Sequence, residues 1–267
     1  LAAGGTGVHV FPAEALAQEL SERGCRLALV TDRRGGDLGG RLGELETHRV
    51  RAGGIAGKGP VARLRSAVEI AFGTLQARQL LKSLKPSVVV GFGGYASVPT
   101  MLAATYSTVS TAIHEQNAVL GRANRLLALK VQTIATSYEK VSHIPETAVA
   151  RAVFTGMPVR AAVKDLHGTP YPPLSKKADF NILVFGGSQG STVFSRIVPQ
   201  AIARLEESHR NRLNIVQQCR PEDHKELRAD YNRIGLRAEI APFFSDMPQR
   251  IAGSHLVISR SGASTVA

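Results

Sequence analysis

Val88-Val89-Val90-Gly91-Phe92-Gly93-Gly94-Tyr95-Ala96-Ser97 passes from a β-branched run into a glycine turn and on into small residues that open a helix. A short apolar run closed by such a turn reads as a buried parallel strand. Two further stretches have the same character: Ala2-Ala3-Gly4-Gly5-Thr6-Gly7-Val8-His9-Val10-Phe11-Pro12 and Ile182-Leu183-Val184-Phe185-Gly186-Gly187-Ser188-Gln189-Gly190. The first begins too close to residue 1 to display its whole strand. Each turn precedes a helix-like stretch, so backbone N–H groups and a helix start face one spot, a geometry that holds phosphate. Glycine turns of this kind in two regions imply a nucleotide-type donor and a second phosphorylated ligand. His9, beside the first turn, is a candidate proton acceptor.

Outward from these turns, strands and helices alternate. Ala13 to Arg23 has helical spacing and is closed by Gly24. Arg26 to Asp32 reads as a strand, and Arg33 to Gly59 as loop with short strands. A long helix is expected from Ala62 to Leu84, a helix from about Val98, strands at Thr111–Ile113 and Gln132–Thr136, and a helix over Gly121–Leu129. A break falls near Val153 to Arg160. Beyond it come strands at Asn181–Phe185, Leu213–Gln217, Glu239–Ile240 and His255–Ser259, with helices near Phe194–Glu207 and Glu222–Ile234. This alternation predicts an α/β fold with parallel sheets covered on both faces. Residues 1–154 form one expected domain and 155–267 another, the second with fewer elements and therefore read as incomplete.

The length of 267 residues leaves room for one or two domains, and the 43% hydrophobic content is that of a globular chain. Lys and Arg outnumber Asp and Glu by 33 to 21, a balance that suits an anionic lipid surface or another polyanion. With no Trp and 5% aromatics, no basic–aromatic platform marks a nucleic-acid binder. Cys25 and Cys219 match no metal or redox spacing and read as reduced thiols. The uncharged stretch from Ser87 to Ile113 is long enough for a membrane span, yet Gly93, Gly94 and Pro99 within it favour buried α/β core.

Taken alone, Gly5-Thr6-Gly7 with Asp32 could be a partial dinucleotide fingerprint, the basis of a nicotinamide-dependent alternative. The other motifs exceed that reading. Gly4 to Pro12, Gly93-Gly94-Tyr95-Ala96-Ser97, His114-Glu115-Gln116-Asn117, Thr155-Gly156-Met157-Pro158-Val159-Arg160, Gly186-Gly187-Ser188-Gln189-Gly190 and Arg260-Ser261-Gly262-Ala263-Ser264-Thr265 occur in an order and spacing that resembles the MurG family of glycosyltransferases. The resemblance runs through essentially the whole chain. It implies a GT-B architecture, two Rossmann-like domains with a cleft between them. It also implies inverting transfer of N-acetylglucosamine from UDP-N-acetylglucosamine onto undecaprenyl-pyrophosphoryl-muramyl-pentapeptide, at the cytoplasmic face of a bacterial membrane.

An inverting sugar transfer needs a base for the acceptor hydroxyl and stabilisation of the leaving pyrophosphate. The resemblance implies a catalytic group of His9, His114 and Glu115. Gly5, Gly94, Tyr95 and Ser97 would meet the acceptor. Thr6, Gly7, Val8, Asn117, Arg160, Ser188, Phe244, Ala263, Ser264, Thr265 and Val266 would meet the UDP-sugar, Phe244 through its backbone. No carboxylate cluster has metal-ligand spacing, so helix dipoles and arginine are expected to stand in for a metal, and no cofactor is implied.

Three departures from the family pattern carry expectations of their own. Val8 replaces a glycine, at a cost of roughly 1–3 kcal/mol if that position needs positive φ or close approach of a ligand. Ser195 stands where the family commonly has Asn. The chain stops one residue before an expected ribose-binding Glu, which leaves open a binding module that recognises UDP-sugar or lipid pyrophosphate without transfer. Finally, Leu64, Val68, Phe72, Leu75 and Gln79 fall near helical spacing beside Arg63, Arg65, Arg78, Lys82 and Lys85. This pattern fits a helix resting on an anionic leaflet or an ordinary core helix with solvated charges.

Overall fold

The computed structural model describes residues 1–5, 7–33, 40–54, 59–175, 179–187 and 190–266. Two compact units emerge, Leu1–Arg160 and Ala161–Val266.

The first unit contains strands β1 (Ala28–Asp32), β2 (Glu46–Val50), β3 (Val88–Gly91), β4 (Ser110–Glu115), β5 (Thr133–Thr136) and β6 (Ala152–Phe154). β1 pairs with β2, and β3 through β6 pair in sequence order, all parallel. Residues 1–3 join the two sets. Ala2 bridges both Val30 and Gly91, with Ala2 N–H donating to Val90 O at 2.8 Å and Val30 N–H to Leu1 O at 2.8 Å. The chain thus starts in the middle of a sheet, winds outward through β1 and β2, then returns to add β3 on the other side. Strand order reverses between residues 1–3 and β3, and in such sheets the crevice at the carboxyl ends of those two strands is the ligand position.

The sheet is apolar on both faces because helices cover both. One layer packs Val89, Ile113 and Ile134 with Met101, Leu127, Ala77 and Leu81; the other packs Leu29 and Phe92 with Ala13, Ala17 and Leu42. Each fully buried Leu, Ile or Phe here contributes about 1.5–3 kcal/mol.

Two helices begin earlier than the sequence predicts. Gly7–Glu22 and Gly94–Thr105 start directly at their glycine turns and contain Pro12 and Pro99. The sequence reading starts each helix near its proline, because the residue before proline disfavours helical backbone. Each proline is the sixth residue of its helix and forgoes one intrahelical N–H bond there, yet the helix runs through it. β6 falls where the sequence suggests only a break. Its Val153 and Phe154 are exposed, so it lacks the buried alternation that marks a strand. The uncharged stretch from Ser87 resolves into β3, Gly94–Thr105 and most of β4, and among the described residues no helix is long and apolar enough to cross a membrane.

The second unit contains β7 (Phe180–Phe185), β8 (Leu213–Gln218), β9 (Ala238–Ala241) and β10 (Leu256–Ser259), in the spatial order β10-β7-β8-β9, all parallel. The order again reverses beside the first strand, between β7 and β10. Thr192–Ala203 and His224–Arg233 pack Val198, Ile202, Leu227 and Tyr231 against Ile182, Val184 and Ile215. The helix expected to reach Glu207 breaks after Ala203, and a short helix at Met247–Ala252, begun by Pro248, has no counterpart in the sequence reading.

Candidate active site

The reversal point of the first unit brings the first two glycine turns into contact. A Cβ on Gly4 would lie 2.5 Å from Thr31 Oγ1 and 2.8 Å from the Ala96 Cβ, so the first turn is wedged between the end of β1 and the helix of the second turn. Gly93 and Gly94 adopt φ of 81° and 70°, backbone that side-chain-bearing residues rarely take. His9, in the first turn of Gly7–Glu22, lies against them. A Cβ on Gly94 would stand 3.1 Å from its Cδ2 and 3.4 Å from its Nε2.

Behind His9 is a buried polar layer from the end of β4 and the following loop. His9 Nδ1 is 3.2 Å from Gln116 Oε1. Gln116 is fully buried, and its Nε2 donates to Phe92 O at 3.0 Å and His114 O at 3.1 Å and lies 3.1 Å from His114 Nδ1. His114 Nε2 is 3.3 Å from Gly156 O and 3.4 Å from Ser137 Oγ. Burial pushes the His114 imidazole below its ordinary pKa, against the smaller opposing effects of the Gly156 carbonyl and the Glu115 charge.

Glu115 is also buried and its carboxylate is fully engaged. Oε1 accepts from Asn117 N at 3.0 Å and Asn117 Nδ2 at 3.1 Å; Oε2 accepts from Gly121 N and Asn124 Nδ2, both at 2.8 Å. A carboxylate accepting from four N–H groups anchors the loop from Asn117 to Gly121. Of the expected catalytic group, His9 alone sits against the glycine turns with a ring nitrogen not engaged by the layer behind it. His114 and Glu115 have their polar atoms engaged by the protein. Asn117 is exposed, with its amide nitrogen turned to Glu115. The residues missed by the sequence reading are Gln116 and Asn124, which link this layer together. The quoted His-Glu-Gln-Asn motif contained the first of them.

Of the acceptor group, Gly5 is exposed at φ 90° and Tyr95 is half-buried. Ser97 is fully buried, and its hydroxyl donates to Gly94 O at 3.0 Å, bracing the second turn. Thr6 lies outside the described residues. Gly7 opens the helix with the Phe11 ring against it, where a Cβ would fall 2.8 Å from the ring.

Val8 corrects an expectation. It is the second residue of Gly7–Glu22 and has no positive φ; among the described residues of the first turn, Gly5 takes that conformation. The anticipated backbone strain is absent because the helix starts a residue before the substitution. Arg160 closes the first unit: its guanidinium stacks over the Phe11 ring at 4.3 Å. Together with Thr155 N–H donating to Thr136 O at 3.0 Å and the Gly156 contact with His114, this ties 155–160 to the first unit. Arg160 also offsets part of the burial that raises the Glu14 carboxyl.

In the second unit the chain leaves β7 and β10 side by side, Phe185 in register with Ser259. A Cβ on Gly186 would lie 2.5 Å from Ser191 N and from Gly190 C, so the turn closes on its own backbone. Gly187 has φ 84°, and Gly190 N–H donates to Gly187 O at 3.0 Å. The helix Thr192–Ala203 follows without a side-chain cap on its N-terminus, which leaves N–H groups available to an anion. Ser188 lies outside the described residues. After β10, Ala263–Val266 is a short helix with Ala263 buried, Ser264 and Val266 exposed and Thr265 half-buried. Ser195 is buried, and its hydroxyl has no hydrogen-bond partner among the described residues. Phe244 is buried with the Arg250 guanidinium 4.3 Å above its ring, and Arg250 in turn pairs with Glu239 and Asp246. Its side chain is committed to packing, which leaves its backbone for any ligand. Among the described residues no three His, Cys, Asp or Glu side chains gather as a metal site.

Residues 1–136 match the glycosyltransferase family 28 N-terminal domain and residues 181–267 the family 28 C-terminal domain. A curated relative from Paramagnetospirillum magneticum, named UDP-N-acetylglucosamine–N-acetylmuramyl-(pentapeptide) pyrophosphoryl-undecaprenol N-acetylglucosamine transferase, is 55% identical over 267 residues, covering 100% of this chain and 72% of its own length. One of the same name from Rhodospirillum rubrum is 56% identical over 266 residues, with coverages of 100% and 68%. Among solved structures, Acinetobacter baumannii MurG superposes with a TM-score of 0.70 at 29% identity, over 100% of this chain and 72% of that one. The UDP-GlcNAc 2-epimerase of Neisseria meningitidis shares the fold at a TM-score of 0.60 and 14% identity, over 98% and 76%. The two parallel units are thus the Rossmann-like domains of the GT-B class. The chain belongs to glycosyltransferase family 28 and, within it, to the UDP-N-acetylglucosamine–N-acetylmuramyl-(pentapeptide) pyrophosphoryl-undecaprenol N-acetylglucosamine transferases.

Proposed function

We propose that this chain transfers N-acetylglucosamine from UDP-N-acetylglucosamine to undecaprenyl-pyrophosphoryl-muramyl-pentapeptide, the first unit activating the acceptor and the second holding the donor. The observation that carries the reading is the placement of His9 against the Gly93–Gly94 turn at the reversal point of the first sheet. As the acceptor hydroxyl oxygen bonds to the anomeric carbon, its proton passes to His9 and the bond from that carbon to the UDP oxygen breaks. Attack opposite the leaving group inverts the centre. The negative charge that grows on the departing diphosphate meets the Gly186–Gly190 turn, the uncapped start of Thr192–Ala203, and the Ala263–Thr265 turn. Ser188 and Arg160 complete the donor group in this reading. His114 and Glu115 act by holding the acceptor-side loop, and Gly5, Gly94 and Tyr95 face the acceptor pyrophosphate.

The test is transfer itself, with labelled UDP-N-acetylglucosamine and a soluble lipid-pyrophosphate acceptor. Labelled lipid product of inverted configuration supports the reading. Binding of UDP without transfer would favour the non-catalytic module, and binding of NAD in place of UDP would favour the dinucleotide alternative.

The acceptor is a membrane lipid, so the first unit docks peripherally on the anionic cytoplasmic leaflet. The helix Pro60–Leu84 supports this with two apolar faces. Ser66, Gly73, Ala77 and Leu81 are buried against the unit, while Leu64 at 68% exposure, Phe72 at 52% and Val61, Val68 and Leu75 form an outward stripe. Such a stripe flanked by Arg63, Arg65, Arg78, Lys82 and Lys85 fits an interfacial helix. In vesicle co-sedimentation, anionic lipid should retain the protein better than zwitterionic lipid. Leu64→Ser with Phe72→Ser should weaken retention by about tenfold or more, and equal retention of the variant would refute the docking face.

A further inference from the structure

We infer that Gln116 is a positioning residue that fixes the tautomer of His9, leaving Nε2 as the nitrogen that takes the acceptor's proton. This rests on the reading of His9 as the base and adds to it which atom acts and what selects that atom.

The argument begins with groups that have no choice of role. Phe92 O and His114 O are backbone carbonyls and only accept, so the amide nitrogen of Gln116, at 3.0 and 3.1 Å from them, must face them. That fixes the amide's orientation and turns Oε1 toward His9. An amide oxygen also only accepts, so His9 Nδ1, 3.2 Å away, must carry the hydrogen. A neutral imidazole has one N–H, and the lone pair is left on Nε2. Both ring nitrogens lie against the second glycine turn, Nδ1 3.4 Å from where a Gly93 side chain would start and Nε2 3.4 Å from where a Gly94 side chain would, but Nε2 is the one not engaged by Gln116.

The same direction runs deeper. Gly156 O only accepts, so His114 Nε2, 3.3 Å away, carries that ring's hydrogen, and the bare Nδ1 is turned to the Gln116 amide nitrogen at 3.1 Å, whose two hydrogens are shared with the two carbonyls. Burial lowers the His114 pKa, in keeping with a ring that carries only the Nε2 hydrogen. From His9 to Gln116 to His114 to the Gly156 carbonyl, every donor points one way. When His9 Nε2 accepts the proton, the Nδ1–H bond to Gln116 persists and strengthens, so the imidazolium forms with no rearrangement.

The experiment is ¹⁵N NMR of the protein labelled at histidine, with the His9 signals identified by their loss in His9→Ala. Wild-type protein should show protonated Nδ1 and unprotonated Nε2. Gln116→Leu should move His9 toward the Nε2–H form, which free imidazole side chains prefer, while the signals of histidines other than His9 and His114, which also touches Gln116, stay in place. Turnover of Gln116→Leu should fall about ten- to a hundredfold, with the KM for UDP-N-acetylglucosamine unchanged, and the same substitution should add nothing in a His9→Ala background. A wild-type His9 protonated at Nε2 overturns the inference without any variant, as does a tautomer indifferent to Gln116→Leu or an equal loss of turnover in both backgrounds. Should His9→Ala keep its turnover while the Nδ1–H tautomer is observed, the base reading fails and the positioning geometry stands.

Discussion

The two units build the same corner and furnish it differently. Each is a parallel sheet whose strand order reverses beside its first strand, and each places a glycine turn and a helix start at that reversal. In the first unit the turn is backed by a layer of buried polar side chains hydrogen-bonded to one another: His114, Glu115, Gln116 and Asn124. In the second the turn is backed by its own main chain, Gly186 folded onto Gly190 and Ser191. Away from the turn, Gln217 and Tyr231 bond to each other at 2.5 Å within the core. Topology supplies an anchor for phosphate in both, and the residues packed behind the anchor decide whether it also moves a proton.

The sharpest way to break this contrast is His9→Ala. Turnover should fall by about 10²–10⁴ if His9 is the base, while UDP affinity by calorimetry stays unchanged, since the donor belongs to the other unit. Near-normal turnover would reduce the first unit to a scaffold.

Glu115→Gln is the next largest. It sets an amide NH₂ against N–H groups that now donate to a carboxylate, and should destabilise the first unit by roughly 1.5–3 kcal/mol. Hydrogen exchange should quicken at Asn117 and Gly121 and leave the β7–β8 amides unaffected. An unchanged pattern at the loop would mean the carboxylate does not hold it.

A paired substitution then separates the corners. Gly94→Ala and Gly187→Ala both place a side chain at positive φ, at about 1–2 kcal/mol each, but only the first crowds His9. Gly94→Ala should lower turnover with UDP affinity intact, and Gly187→Ala should weaken UDP binding about tenfold with turnover at saturating donor largely kept. Identical kinetic profiles would erase the division of labour.

The smallest effect is in pH. His114 is held below its ordinary pKa by burial, so below roughly pH 6.5 the unfolded chain binds a proton that the folded one refuses. Its contribution to stability is therefore full above that value and is lost as pH falls toward the folded pKa. Urea unfolding of the first unit should weaken on acidification, and less steeply in His114→Asn. Equal slopes would show that His114 is not held neutral.

Much of this was legible in the chain. Strands β3, β4, β7 and β8 declare themselves through contiguous apolar residues, and the glycine turns through residues that alone tolerate such backbone. Both are local properties, set within a few neighbours, and the order of the motifs along the chain was enough to indicate the family. Other features depend on what a residue meets across the sheet. His9 and Gln116 are 107 residues apart, and the direction of their hydrogen bond follows from two carbonyls that face Gln116 only after β3 and β4 have paired. That four N–H groups close on the Glu115 carboxylate is visible only in the folded unit, as is the start of the Val8 helix at Gly7. The stripe on Pro60–Leu84 could be core or surface by periodicity alone, since both faces are apolar, and only the packed unit shows which one is left outside. The sequence by itself determined where the chain turns and which side chains could do chemistry. The tertiary structure alone decided which of them remain free to do it, because a polar atom's availability depends on which partners folding brings within hydrogen-bonding distance.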